Sequence, residues 1–217
     1  DYDGLAIRSN TKVDKEILSK ASKLKIIGRA GIGVDNIDID EATLKGVIVM
    51  NTPHGNSITT AEHTIAMIMS LARKIPDANQ STKKGKWEKS KFIGTEVTGK
   101  YLGLIGCGNI GSIVADRAKG LKMKVLVYDP FLTAETSKEI GVEKVSFEEL
   151  LKKSDIISIH TPLTNSTRNI INSKNIFSIK KGSSIINCAR GGLIDENSLS
   201  VALKNNHLSG AAIDVFL

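Results

Sequence analysis

The chain has 217 residues and a hydrophobic content of 41%, enough to pack a core in one or two domains, and its apolar runs fall far short of the ~20 residues a membrane-spanning helix needs. The net charge of +7 comes from scattered lysines with one short cluster at Lys83, Lys84, Lys86, Lys89 and Lys91; with 4% aromatic residues and no basic helix, this is a solvated surface rather than a nucleic-acid interface. Cys107 and Cys188 lie in separate apolar contexts with neither metal-ligand nor disulfide-scaffold spacing, so no metal is expected. The opening Asp-Tyr-Asp-Gly does not read as a signal peptide, and a cytoplasmic location is the expectation.

Leu5-Ala-Ile-Arg8 is a short apolar run ending in a cation, and Val13 to Lys23 carries helical spacing through Val13, Ile17, Leu18 and Ala21. Lys25 to Gly28 reads as a strand, followed by the glycine-broken loop Arg29 to Gly33. Ile39 to Lys45 predicts a short helix stopped by Gly46, Val47 to Met50 a third strand, and Asn51 to Gly55 a loop. Ser57 to Ile75 predicts the longest helix, with Thr59 and Glu62 at capping-box spacing and Pro76 ending it. Its apolar positions cover more than one stripe, so it is expected to be buried on several sides, in the core or against another subunit. Asp77 to Thr98, lysine-rich around Trp87, reads as a connector.

Tyr101 to Ile105 is an apolar strand that runs straight into Gly106, Gly108 and Gly111, spaced G-x-G-x-x-G, and helical spacing follows from Ile110 to Leu121. Gly106 turns the chain out of the strand, Gly108 lets a pyrophosphate approach the backbone, and Gly111 lets the helix pack close. The unpaired N–H groups of the helix start then face the phosphates. A second apolar run, Lys124 to Tyr128, ends in Asp129, about 20 residues on, where a carboxylate accepts from ribose hydroxyls and repels a 2′-phosphate. The order strand, glycines, helix, strand, acid therefore predicts a dinucleotide site that favours NAD over NADP.

Beyond Asp129, Phe147 to Lys152 predicts a helix, Ile156 to His160 a strand followed by Thr161-Pro162, Ser173 to Ile179 a helix, and Ser184 to Cys188 a strand. Ser198 to Asn205 predicts a helix, and Gly210 to Phe216 a last strand. Strands separated by helices imply a parallel sheet of the doubly wound α/β type. Arg190 lies just past a strand end and before two glycines, where ligands of open α/β sheets bind; it is placed either to clamp a substrate carboxylate with two N–H donors or to pair with Asp195 or Asp214 for structure.

Tyr101 to Asp129, together with Asn187-Cys-Ala-Arg-Gly-Gly-Leu-Ile-Asp-Glu196, resembles the D-isomer-specific 2-hydroxyacid dehydrogenases. A narrower likeness, to members whose substrate carries a phosphate, rests on Gly28-Arg-Ala-Gly-Ile-Gly-Val-Asp-Asn-Ile-Asp38, Asn51-Thr-Pro-His-Gly-Asn-Ser57 and Gly85-Lys-Trp-Glu-Lys89. The resemblance implies a Rossmann cofactor domain over residues 54–217 and part of a flavodoxin-like substrate domain over residues 1–53. It implies Arg190 as the catalytic arginine that holds the substrate carboxylate and orients the 2-oxygen. Arg8 and Arg29 match cations that meet the phosphate, with Asn56 and Lys89 as weaker matches.

For NAD the resemblance implies Gly106, Gly108, Asn109, Ile110 and Gly111 around the pyrophosphate and Asp129 at the ribose. His160 and Thr161 fall on the adenosine side, Cys188 and Asp214 near the nicotinamide, and Ile32 is a further contact. Family members often carry Arg at the Asn109 and Lys89 positions. Partners expected on this basis are a small anionic substrate and a second copy of the chain through helix 57–75, with neither nucleic acid nor membrane. The family's proton-shuttling His and its orienting Glu follow the Asp214 strand, so the chain reads as an internal fragment of a longer enzyme. His54, His63 and His207 read as loop, structural or solvated residues. An NAD-sensing corepressor of the same fold would keep the glycines and the arginine; the phosphate-side cations favour the enzyme.

Overall fold

The computed structural model describes residues 2–217. The chain divides into two compact units, Asp1–Thr59 and Thr60–Leu217.

Among the described residues, the first unit holds a three-stranded parallel sheet ordered β1 (Gly4–Ile7), β2 (Ile26–Arg29), β3 (Ile48–Asn51). The helices α1 (Lys15–Lys20) and α2 (Ile39–Leu44) connect these strands. Each helix opens on an aspartate whose carboxylate accepts from the backbone three residues on, Asp14 from Ile17 and Asp38 from Glu41. Such a cap is worth about 1 kcal/mol. Alternation along the strands turns Ile7, Ile27 and Val49 toward Val13, Leu18, Ile37 and Ala42, which form the unit's core.

The longest helix, α3 (Ser57–Ala72), is shorter than the sequence predicts. Lys74 takes a left-handed conformation, φ 52°, and a second helix, α4 (Ile75–Lys83), begins at once with Pro76 in its first turn. Pro76 therefore opens a helix rather than closing one, because a first-turn residue needs no N–H partner. Thr59 and Glu62 lie inside α3, not across its start, so the expected capping box does not mark the helix end. A short 3-10 turn, Lys89–Phe92, follows α4.

The second unit is built on a parallel sheet, six-stranded among the described residues. It contains β4 (Tyr101–Ile105), β5 (Lys124–Tyr128), β6 (Glu143–Lys144), β7 (Ile156–Ile159), β8 (Ser184–Asn187) and β9 (Gly210–Ile213), ordered β6-β5-β4-β7-β8-β9. Connecting helices are α5 (Asn109–Gly120), α6 (Ala134–Glu139), α7 (Phe147–Lys153) and α8 (Glu196–Lys204). The segment Ser173 to Ile179, expected as a helix, forms only a 3-10 turn at Ile176–Ser178.

Parallel strands covered on both faces read as continuous apolar runs, and β7 and β8 are buried at every position. Alternation sends Leu102, Leu104 and Ile186 to one face with Val114, Ala115, Ala118, Ala61 and Ile68. It sends Ile105, Ile157, Ile159 and Ile185 to the other with Leu150, Leu151, Leu199 and Ala202. Most of these are at 0% exposure, and burying each large aliphatic side chain is worth about 1.5–3 kcal/mol. The result is helices on both faces and a sheet edge where the strands end together.

Candidate functional site

Because all strands of the second unit run the same way, the loops after β4, β5, β7, β8 and β9 emerge along one edge. The chain leaves β4 for β5 on one side and later fills β7 on the other, so a crevice opens between the loops after β4 and β7.

The β4 loop forms the floor of that crevice. Gly106 sits at φ 96°, and a Cβ there would lie 2.7 Å from the His160 carbonyl oxygen and 2.9 Å from Thr161 Cγ2. A Cβ on Gly111 would collide with the Gly106 carbonyl oxygen. Both glycines are therefore required by contacts within the protein. Gly108 differs: no heavy atom stands within 4 Å of where its Cβ would be, and its φ of −74° suits any residue. It is the N-cap of α5 and makes no side-chain cap hydrogen bond, so the positive end of the helix, with the first-turn amides of Ile110 and Gly111, suits an anion.

Asp129 follows β5 and binds the same loop. Its Oδ2 accepts from the Cys107 N–H and its Oδ1 from the Phe131 N–H, each at 2.8 Å. Each carboxylate oxygen keeps a further lone pair for a hydroxyl. Desolvation, with the Asp129 charge added, pushes the neighbouring Cys107 thiol up to about 11 and keeps it protonated.

Across the crevice, Thr161 follows β7 with a buried hydroxyl that has no hydrogen-bond partner in the protein. An orphaned hydroxyl costs about 1–3 kcal/mol and signals a missing ligand group. His160 also has a part in the fold. Its carbonyl walls the Gly106 turn, and its imidazole Nε2 lies 2.9 Å from Ser158 Oγ. Part of the residue reaches solvent, but desolvation of the ring lowers its pKa to about 4, so it is neutral.

Arg190 lies two strands from β4, about 10 Å at the usual strand spacing. Its loop is shaped by Asn187, which the sequence singled out only within a motif. The Asn187 side chain donates to the Arg190 carbonyl at 2.9 Å and accepts from the Ala189 N–H at 3.0 Å. A buried asparagine ending an apolar strand ahead of Arg-Gly-Gly was the available signal. Arg190 Nη1 donates to the Ala189 carbonyl at 2.7 Å. Of the carboxylates weighed as its partners, Asp195 caps α8 through the Asn197 and Ser198 amides, and Asp214 faces His63.

Cys188 follows β8 and Asp214 follows β9 on the same edge. The Cys188 thiol is raised by burial, hydrogen-bonds Thr64, and lines the core rather than the surface. Of the two readings of His63, structural or solvated, the structure supports both in part: the side chain is half exposed and its Nε2 lies 3.4 Å from Asp214 Oδ1. His207 is held structurally, its ring against Phe177 and its Nε2 2.9 Å from the Ile179 carbonyl.

The remaining predicted residues belong to the first unit and lie at the C-terminal ends of its parallel strands. Arg8 follows β1, Arg29 ends β2, Ile32 lies in the loop beyond it, and Asn56 precedes α3. Arg29 has a buried Nε without a partner, and its guanidinium folds over Gly31, where any side chain would collide with it. The Ile32 carbonyl accepts from Asn51 Nδ2 at 2.7 Å. Among the described residues, no group of three or more His, Cys, Asp or Glu gathers to hold a metal ion, and no helix is long and apolar enough to cross a membrane.

A doubly wound parallel sheet, a glycine loop with space kept clear above its middle glycine and a carboxylate at the next strand end define a dinucleotide-binding α/β protein. The chain belongs to the D-isomer specific 2-hydroxyacid dehydrogenase family, whose NAD binding domain matches residues 65–217. It is 55% identical over 215 residues to a D-3-phosphoglycerate dehydrogenase of Bacillus subtilis, covering 99% of this chain and 41% of that protein. It is 49% identical to the protein of the same name from Homo sapiens, covering 100% of this chain and 40% of that one. The chain thus spans about two fifths of the curated relatives it matches. Among solved structures, D-lactate dehydrogenase from Aquifex aeolicus complexed with NAD and lactic acid superposes with a TM-score of 0.92 at 37% identity, covering 99% of this chain and 64% of that one.

Proposed function

We propose that this chain is the cofactor-binding part of an NAD-dependent D-2-hydroxyacid dehydrogenase that acts on 3-phospho-D-glycerate, the first step of serine biosynthesis. The observation that carries this reading is the selective emptiness of the glycine cradle: two glycines are filled by the protein's own backbone, and the third, Gly108, faces open space.

The residues present fit NAD. The α5 amides and Gly108 hold the pyrophosphate, and Asp129 takes the ribose hydroxyls and repels a 2′-phosphate. Thr161 gains a partner for its buried hydroxyl. Asp214 stands on the nicotinamide side, because the second half of a doubly wound sheet carries the second nucleotide. When bound, NAD supplies the hydride acceptor. Arg190 grips the substrate carboxylate through paired N–H donors and polarises the 2-oxygen. On the first unit, Arg8 and Arg29, with Asn56, offer donors suited to an anionic group. We further propose a cytoplasmic enzyme that self-associates through α3, whose Ile65, Met67, Met69 and Leu71 remain only partly buried in the protomer.

Two measurements test this. Calorimetry of the chain with NAD and with NADP is expected to give binding that favours NAD. An NAD-reduction assay on the longer protein that carries the chain is expected to prefer 3-phosphoglycerate over glycerate, lactate and 2-hydroxyglutarate. Preference for an unphosphorylated acid would remove the substrate assignment and leave the cofactor site standing.

A further inference from the structure

The pair formed by His63 and Asp214 has no place in the reading so far. Asp214 follows β9, and its N–H donates to the Asn187 carbonyl at 3.0 Å, which extends the β8–β9 ladder and holds its backbone. Its carboxylate is half exposed, so the backbone does not hold the side chain's rotamer. His63 sits on α3 with Nε2 3.4 Å from Asp214 Oδ1. The helix around His63 is anchored: Ala61 and Thr64 are fully buried, Ile68 nearly so, and the Thr64 side chain is hydrogen-bonded to Cys188 at the end of β8. An imidazole on a rigid support thus meets one oxygen of a carboxylate on a less constrained one.

We propose that His63 is a positioning residue that engages Asp214 Oδ1 and leaves Oδ2 presented along the sheet edge to a donor on the nicotinamide half of the cofactor. The inference rests on the NAD site proposed above. The partner that suits Oδ2 is a primary carboxamide, which carries two N–H donors, next to a cationic ring that a carboxylate also attracts. His63 itself touches no ligand. Its contribution is rotational order in Asp214, and a half-exposed pair of this kind is worth a two- to fivefold effect, on the order of the usual value for exposed ion pairs.

The test compares NAD with ADP-ribose, which keeps the pyrophosphate and ribose contacts and lacks the nicotinamide. In the full chain, His63→Ala is expected to raise Kd for NAD about two- to fivefold and to leave Kd for ADP-ribose unchanged. His63→Gln, which restores an N–H donor, is expected to recover most of the loss. In an Asp214→Ala background, His63→Ala is expected to have no further effect, because the group it positions is gone. Unfolding curves that match wild type show that the variants fold. Equal weakening of NAD and ADP-ribose, no weakening of either, or full additivity with Asp214→Ala overturns the proposal. A wild-type chain that binds neither ligand overturns the cofactor reading as well, whereas normal binding of both with an inert His63→Ala overturns this inference alone.

Discussion

Replacing Gly108 by alanine separates space reserved for a ligand from space the fold needs. A Cβ at Gly108 meets nothing within 4 Å, and the backbone, φ −74° and ψ −153°, accepts alanine without strain. Losing glycine's freedom in the unfolded chain stabilises by about 0.4–1 kcal/mol, and putting alanine at an N-cap costs a comparable amount, so the apo protein should unfold within about 1 kcal/mol of wild type. Gly111→Ala is the control. Its Cβ runs into the Gly106 carbonyl, so α5 must retreat from β4, a strain of about 1–3 kcal/mol. With NAD the order reverses in interest. A methyl over Gly108 stands where the pyrophosphate approaches, and losing one charge-assisted amide contact costs about 1.5–3 kcal/mol, or roughly 10- to 150-fold in Kd. At a ligand concentration of about 100 times the wild-type Kd, NAD stabilises wild type by about 2.7 kcal/mol, and a variant weakened a hundredfold gains only about 0.4 kcal/mol. Thermal or urea unfolding with and without NAD reads both quantities. An unchanged NAD-dependent gain in Gly108→Ala, or an apo form that fails to fold, would refute the argument that this space belongs to the cofactor.

Three further outcomes follow from the site. On the proposed reading, Asp129→Ala removes both the ribose acceptor and the repulsion of a 2′-phosphate; Kd for NAD should rise about tenfold or more while the ratio of the NADP Kd to the NAD Kd falls, checked by titration with both cofactors. Thr161→Val removes a buried hydroxyl without a partner, so the apo protein should gain about 1 kcal/mol while NAD binds less tightly; an apo protein destabilised by several kcal/mol would mean the hydroxyl is already satisfied. His160 is held neutral, with its pKa lowered from 6.5 to about 4. The unfolded chain therefore binds the proton first as pH falls, and stability is lost between about pH 6.5 and 4, by about 2 kcal/mol at pH 5 and about 3 kcal/mol once both states are protonated. Urea unfolding at pH 7 and pH 5 should show that loss in wild type and less of it in His160→Asn.

The elements of the proposed cofactor site were legible because they are local in the chain. The strand, the spaced glycines, the helix and the next strand with its terminal acid occupy consecutive residues, and each has a backbone reason that any neighbourhood would impose. The position of Arg190 was legible for a similar reason, as a cation just past a strand end before two glycines. The misreadings have physical causes too. Pro76 carries the same signal whether it closes one helix or opens the next, and the left-handed turn at Lys74 decided which. The α6 helix and the two-residue β6 strand escaped notice because they lie at the sheet edge with polar, mostly exposed residues and no periodicity to betray them. The contact of the His160 ring with Ser158 Oγ was not legible, because it depends on packing rather than on position after a strand.

By itself the sequence determined the parallel α/β class, the glycine loop between β4 and α5 and the acid at the next strand end, because periodicity, glycine spacing and strand ends are properties of short stretches. Only the tertiary structure decided which glycine was left clear for a ligand, that Thr161 keeps an unsatisfied hydroxyl, that Asn187 shapes the Arg190 loop and that His63 faces Asp214. Those are relations between atoms brought together by packing, and burial and distance exist only once the sheet and its helices have closed on each other.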